Sequence, residues 1–190
     1  MNSTVMKKTD IYYFEAKKKQ DIPKFSQTLT HLIKRKRTLQ KELVLLCIGS
    51  DRATGDCLGP IIGYKLSRLQ YPGFFVYGTL ADPVHAKNLK ETIQKIRQLH
   101  PFATVVAIDA SLGSSRHIGC ITLGEGSLCP GIGVNKALPS VGDIFITGIV
   151  NISGALNNMV LQTTRLDVVM QLADFICLGI KYSIIYSLIL

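Results

Sequence analysis

The sequence predicts an α/β protein in which helices cover both faces of a mostly parallel central sheet. Three observations support this fold class. Short apolar runs alternate with segments whose apolar residues recur at helical spacing. The chain has 190 residues, 47% of them hydrophobic, which suffices for one domain with a substantial core. Glycine, proline and small polar residues separate most segments, as expected where crossover helices join parallel strands.

The individual elements follow from this alternation. Five strands are predicted, at residues 43–48, 74–80, 104–108, 118–123 and 144–150. Four helices are predicted, at residues 25–39, 59–69, 82–99 and 155–176. Pro60 suits the first turn of a helix, where its missing N–H matters least, and Asp82 is predicted to cap the helix that follows it.

The positive charge of the chain is concentrated near its N-terminus. Residues 1–41 contain 11 Lys/Arg and 3 Asp/Glu, whereas the remainder contains 11 and 10, so nearly all of the formal net charge of +9 lies in this part. We therefore predict a basic N-terminal arm and helix at residues 1–40, weakly ordered over residues 1–24, and a single α/β hydrolase-like domain at residues 41–190. Charge alone gives only sequence-independent attraction, so no specific nucleic acid is expected as a partner.

The cysteines and the chain ends restrict the cellular setting. Five cysteines without a C-x-x-C pair argue against both a disulfide framework and a structural zinc site. The N-terminus lacks the apolar segment of a signal peptide, so a cytoplasmic location is expected. The apolar residues 182–190 are too short to span a bilayer, so we expect them to pack in the core or between copies of the chain in a homo-oligomer.

A glycine-rich polar loop, residues 49–59, follows the first strand of the predicted domain and carries Asp51 and Asp56. Asp109 follows the third strand. Right-handed crossovers commonly place three such strands in the order 2-1-3, which makes the first and third neighbours with their carboxyl ends at one edge. The order therefore predicts that Asp56 and Asp109 face each other across one crevice.

Two carboxyl groups in one crevice suit two kinds of chemistry. If they lie close, one keeps a proton while the other is ionised, which meets the acid–base requirement of amide hydrolysis. Alternatively, Asp56, Asp109 and His85, which is predicted at the same edge, would be the ligands of a divalent metal. Taken singly, each acid has a structural interpretation, Asp56 as a helix cap and Asp109 as a turn residue. Cys57 is a weaker candidate, because no histidine motif accompanies it.

Other residues near the crevice are predicted to bind substrate. Asp51 and Arg52 belong to the first loop, and Asn135 and Lys136 belong to a long glycine-rich loop that could fold over the crevice and stabilise an oxyanion. The glycines fit neither the G-x-G-x-x-G fingerprint nor the P-loop of nucleotide-binding proteins. No cofactor is therefore predicted.

Three segments resemble motifs of the bacterial spore germination protease. Residues 54–60, Thr-Gly-Asp-Cys-Leu-Gly-Pro, resemble its Thr-Pro-Asp-Ala-Leu-Gly-Pro segment, and residues 109–112, Asp-Ala-Ser-Leu, resemble its Asp-Ala-Leu-Ala motif. Residues 130–136, Pro-Gly-Ile-Gly-Val-Asn-Lys, resemble its Pro-Gly-Ser-Gly-Val-Gly-Asn segment. Hydrogenase maturation proteases have the same order of elements. The resemblance covers residues 42–178 and is greatest to a short sporulation family, the YyaC-type spore proteases.

The resemblance implies a three-layer α/β/α sandwich of the phosphorylase/hydrolase-like or hydrogenase-maturation-protease-like type. It also implies peptide-bond hydrolysis in or around sporulation, with catalytic acids at the positions of Asp56 and Asp109. The hydrogenase proteases add a histidine that holds a metal, but the corresponding residues 135–143 contain none here. The chain is much shorter than the germination protease, so propeptide processing and small DNA-protecting substrates do not carry over.

The sequence thus leads to three hypotheses. The first is a sporulation-associated peptidase in which Asp56 and Asp109 share a proton and activate water, with a protein or peptide as substrate. The second is a non-catalytic binding protein of spore assembly that keeps the protease fold. The third is a metal-assisted endopeptidase of the maturation type.

Overall fold

The computed structural model describes residues 10–36, 42–131 and 138–189. One six-stranded sheet is formed by β1 (Ile11–Glu15), β2 (Leu43–Cys47), β3 (Phe74–Tyr77), β4 (Thr104–Gly113), β5 (Cys120–Glu125) and β6 (Ile144–Ile152). The helices are α1 (Ile22–Lys36), α2 (Leu58–Leu66), α3 (Leu89–Leu99), α4 (Asn157–Gln162) and α5 (Leu166–Ile189).

The sheet is mixed but mostly parallel, with strand order β1-β5-β6-β4-β2-β3. Strands β3, β2, β4 and β6 are parallel, whereas β5 is antiparallel to both β6 and β1. The first three strands of the predicted domain lie in the order 2-1-3, as expected from right-handed crossovers. The predicted α/β class with a mostly parallel sheet is confirmed.

Helices cover both faces of the sheet, because the buried strands are apolar on both sides. Along β2, the side chains of Leu43, Leu45 and Cys47 belong to a core shared with α1, α2 and α5. The intervening Val44 and Leu46 belong to a second core shared with α3. The molecule is therefore a three-layer α/β/α sandwich.

The N-terminal part is more ordered than predicted. Residues 11–15 form the edge strand β1, so the prediction of weak order over residues 1–24 is wrong there. Only Phe14 of this strand is fully buried, where its ring packs edge-on against Phe25 with 5.2 Å between ring centroids. The strand is held by β5, more than 100 residues away in the chain, and a local pattern contains no such information.

The predicted start of the helix at residues 82–99 is also wrong. The helix expected from Asp82 begins at Leu89, because Val84 instead forms a parallel bridge with Ile48. In the turn between Val84 and Leu89, the Asn88 side chain accepts a hydrogen bond from the His85 N–H at 2.8 Å and donates one to the Pro83 carbonyl at 3.0 Å. Asp82 is therefore not a helix cap.

The helix predicted at residues 155–176 is two helices, α4 and α5. They are separated where the hydroxyls of Thr163 and Thr164 donate to the carbonyls of Met159 and Val160, at 2.9 and 2.7 Å. Such bonds compete with helix continuation. The Thr164 side chain is buried and accepts a hydrogen bond from Asn151 at 3.2 Å, which anchors the break to β6.

Helix α5 continues through Gly179 into the apolar segment that was predicted to follow the helix. By length and composition, Leu166–Tyr186 would suffice to cross a membrane, but 56% of its apolar 18-residue window is buried inside the protein. Gly179 lies against Phe25 of α1, and Ser183 is within 2.9 Å of the Thr30 hydroxyl. This helix is thus part of the core, and its hydropathy is weak evidence for a membrane span.

Candidate functional site

A cavity of about 660 Å³ opens at the carboxyl ends of β2 and β4. Its walls come from six parts of the chain: the loop after β2, the segment after β3, the end of β4, the loop after β5, β6, and α4 with the residues just before it. Crevices at this edge are where α/β proteins bind ligands. Asp56 and Asp109 both line the cavity, as do Arg52 and His85.

The loop after β2 folds back on itself so that Asp56 reaches the cavity. Gly49 has a φ of 138°, which side chains disfavour, and its N–H donates to the Val84 carbonyl at 2.8 Å. The Ser50 N–H donates to the Asp56 carbonyl at 3.2 Å, and the Ser50 hydroxyl donates to Asp56 Oδ2 at 3.0 Å. Ser50 therefore orients the Asp56 carboxylate, a role that the sequence analysis missed.

Asp109 approaches the cavity from the sheet itself. The predicted strand ends before it, but β4 continues to Gly113, so Asp109 lies within the strand opposite Thr147 of β6. Its side chain is only 8% exposed. Burial raises the pKa of the Asp109 carboxyl well above its usual range, the Asp56 carboxylate raises it further, and the hydrogen bond from the Ala110 N–H, at 2.9 Å, opposes both effects.

This raised pKa predicts a pH-dependent stability. The folded state holds the Asp109 proton more tightly than the unfolded state does. The stability that this proton contributes is therefore fully present below the pKa of the unfolded state, near 3.8, and is lost as pH rises through the raised pKa of the folded state. Relative to Asp109→Asn, the free energy of unfolding should fall by about 1.4 kcal/mol per pH unit in that window. Urea denaturation at a series of pH values measures this difference, and a constant difference would contradict the assignment.

The remaining predicted substrate-binding residues are not all brought together. Arg52 lines the cavity, but Asp51 is exposed and lies outside its lining. Asn135 and Lys136 lie outside the described residues. From the predicted set, the described part of the site therefore contains the two acids, Arg52 and His85.

The predicted metal ligands do not assemble. Within residues 10–36, 42–131 and 138–189, no three His, Cys, Asp or Glu side chains lie close enough to hold a metal ion. His85 borders the cavity, and its buried Nδ1 has no hydrogen-bond partner in the described chain. The set Asp56, Asp109 and His85 therefore does not fit a three-ligand site in this structure.

Cys57 has the environment of a packed thiol. Its Sγ lies 3.4 Å from the Ala53 carbonyl, and burial raises the pKa of the thiol, as do the carboxylates of Asp56 and Asp51. A nucleophilic cysteine needs the opposite shift, towards the thiolate. Cys57 is also absent from the cavity lining. These properties favour packing over catalysis.

Hydroxyl side chains beside Asp109 were missed by the sequence analysis. Thr147 Oγ1 lies 2.6 Å from Thr122 Oγ1 and accepts a hydrogen bond from Ser111 at 3.3 Å. Both Ser111 and Thr147 line the cavity. Threonine is common in strands, so only the register of β4 with β6 identifies Thr147 as a neighbour of the acid.

The basic cluster at residues 34–37 is partly neutralised. Arg35 and Lys36 form ion pairs with Glu125 at 3.3 and 2.9 Å. These pairs connect α1 to the end of β5, so two of the cluster's charges act within the protein. The described part of the cluster thus offers less free charge to an acidic partner than its sequence indicates.

Comparisons with known proteins find a matching family and a relative over most of the chain. Residues 13–179 match the family described as a protein of unknown function (DUF1256). The chain is 50% identical over 143 residues, 75% of this chain and 70% of the relative, to the Bacillus subtilis (strain 168) protein named uncharacterized protein YyaC.

Two solved structures are similar to this chain. One is the [NiFe] hydrogenase maturation protease HycI from Thermococcus kodakarensis KOD1, with 14% identity, a TM-score of 0.46, and coverage of 81% of this chain and 99% of that one. The other is a hydrogenase 3 maturation protease, with 17% identity, a TM-score of 0.39, and coverage of 70% and 87%. At these identities, activity must be argued from the site itself. The match over residues 13–179 shows that the chain belongs to the DUF1256 family.

Proposed function

We propose that the protein is a peptidase that hydrolyses peptide bonds with Asp56 and Asp109. One observation carries the proposal: a buried carboxyl with a raised pKa and a second carboxyl whose charge contributes to that shift border the same cavity. Environments that keep one carboxyl protonated beside an ionised one provide an acid and a base together.

The two acids have complementary roles in the proposed reaction. Asp56, oriented by Ser50, removes a proton from water as the water oxygen bonds to the peptide carbonyl carbon. Protonated Asp109 gives its proton to the carbonyl oxygen, which leaves a neutral tetrahedral intermediate. The C–N bond then breaks as the nitrogen takes the proton from Asp56, and a hydroxyl of the intermediate returns a proton to Asp109. The products are a carboxylic acid and an amine.

Other residues of the cavity would bind the substrate. Arg52 carries a positive charge on the cavity wall, where it would hold carbonyl oxygens of the bound chain. Asn135 and Lys136 are proposed to contribute from the loop at residues 132–137. The substrate would be a protein or peptide, and the motif resemblance supports action in the cytoplasm of a sporulating cell or forespore.

The experiment that tests this function is detection of new peptide termini. Purified protein is incubated with proteins extracted from sporulating cells, and new amino termini are identified by chemical labelling and mass spectrometry. We expect new termini with the wild-type protein and none with the Asp56→Asn, Asp109→Asn double variant. Identical termini in both samples would refute the peptidase proposal, and retention of extract proteins without cleavage would favour a binding protein.

A further inference from the structure

Strand β4 is twice as long as its neighbour β2. The ladder between them runs from Leu43–Thr104 to Cys47–Ile108, whereas β4 continues to Gly113 with β6 along its other side. After Ile48, the chain turns away from β4. The Gly49 N–H donates to the carbonyl of Val84, which lies on the side opposite β4. Among the described strands, none pairs with this side of β4 beyond Ile108.

Hydrogen bonds on both sides of β4 fix the direction of each backbone group. Ile48 N–H donates to the Ile108 carbonyl on the β2 side at 2.7 Å. Asp143 N–H donates to the Val105 carbonyl, and Ser153 N–H to the Gly113 carbonyl, on the β6 side, both at 2.8 Å. The register between β4 and β6 shifts at Ser111/Leu112, but the extra residue, Val150, belongs to β6, so β4 itself is uninterrupted. Because the N–H and C=O of one strand residue point to the same side and alternate along the strand, even-numbered residues of β4 face the side that β2 has left.

The open side of β4 borders the cavity. Ala110 and Leu112 are the even-numbered residues there, and both line the cavity wall. The Ala110 N–H is bonded to the Asp109 carboxyl, so the acid lies where the open edge begins. An open strand edge is a template for another extended chain, since backbone donors and acceptors require partners.

We propose that an extended segment of the protein substrate binds as an added strand along the open edge of β4, where β2 would have continued, with its scissile bond beside Asp109. This inference rests on the proposed peptidase function and specifies its substrate class. Such binding uses mainly backbone hydrogen bonds, with side-chain pockets for specificity. The substrate must therefore offer an extended segment with at least one unpaired side, because a helix or a strand paired on both sides has no free backbone groups to offer.

The side chains around the edge fit such a segment. Leu112 and Leu161 give the cavity apolar walls, and Leu128 adds another from the loop after β5. Alternate side chains of an added strand would lie against these leucines. Arg52 and Asp56 lie on the loop side of the same cavity. The bound strand would thus have apolar contacts on its flanks and polar groups near the bond to be cleaved.

Hydrogen exchange of the Leu112 amide tests the added strand. The Asp56→Asn protein, which cleaves nothing under the proposed mechanism, is mixed with a degenerate library of nonapeptides, and exchange is followed by NMR. We expect the amide to exchange about tenfold more slowly with the library. The same library with an N-methyl group on every backbone amide has no N–H to donate from either edge and should give no slowing. No slowing with either library, or equal slowing with both, would overturn the proposal.

A pair of variants separates the backbone from the side chain. Leu112→Pro removes the open N–H and should abolish binding of the library, whereas Leu112→Ala keeps the N–H and should weaken binding only by the loss of one apolar contact. Circular dichroism verifies that Leu112→Pro is folded, and the N-methylated library keeps the test independent of that variant. The exchange readout also needs no turnover. Protection of Leu112 in the Asp56→Asn protein, with no new termini produced by the wild-type protein, supports the added strand and refutes the peptidase. Cleavage by the wild-type protein without protection of Leu112 in the variant does the reverse.

Discussion

Replacing Asp109 with Asn is expected to lower kcat by about 10²–10⁴-fold, the range that general acid–base catalysis contributes. Asn keeps the shape of the side chain but cannot give up a proton to the carbonyl oxygen. Asp56→Asn should have a loss of the same size, because the amide cannot remove a proton from water. The assay is turnover of a substrate identified by its new termini, measured under single-turnover conditions.

The surface variant Asp174→Asn is the matched control. Asp174 is an exposed aspartate on α5 that pairs with Lys65, outside the cavity lining, so turnover should be unchanged.

The turnover rate of the wild-type protein should also fall as pH rises through the raised pKa of Asp109, since the acid must be protonated to act. Normal turnover in Asp56→Asn or in Asp109→Asn would remove the substituted residue from the proposed mechanism.

Gly49→Ala should strongly destabilise the protein. Gly49 has a φ of 138°, and a Cβ there would overlap the backbone carbonyl oxygen of Asp56 and lie 3.1 Å from Pro60 Cδ. Relief requires movement of backbone, so we expect a loss of about 3 kcal/mol or more in the free energy of unfolding. Turnover should fall as well, because the same shift displaces Asp56.

Gly126→Ala separates overlap from backbone strain. Gly126 has a similar φ of 125°, but a Cβ there would meet nothing within 4 Å. Only conformational strain remains, so the free energy of unfolding of this variant should fall by about 1–2 kcal/mol. Denaturation in urea compares the two proteins. Equal losses of unfolding free energy in Gly49→Ala and Gly126→Ala would mean that the overlap with Asp56 is relieved without loss of stability.

The sequence was sufficient for the features that local pattern and crossover handedness determine. Apolar runs located the central strands, and the 2-1-3 order placed Asp56 and Asp109 at one edge before any coordinates. The sequence was insufficient where pairing with a strand far away in the chain determines the local structure. Residues 11–15 become a strand only because β5 is present, and β4 runs past Asp109 only because β6 supports it. Thr147 belongs to the site for the same reason, since its neighbour is set by register.

The contact between α1 and α5 determines when the chain can finish folding. The Ser26 hydroxyl donates to the Gly179 carbonyl at 2.9 Å across 153 positions of sequence. At typical rates of synthesis, α1 waits on the order of ten seconds for its partner to leave the ribosome. During that time the face of α1 that includes Phe25, Leu29 and Ile33 is uncovered. The nascent chain therefore exposes this apolar face of α1 to solvent until α5 emerges.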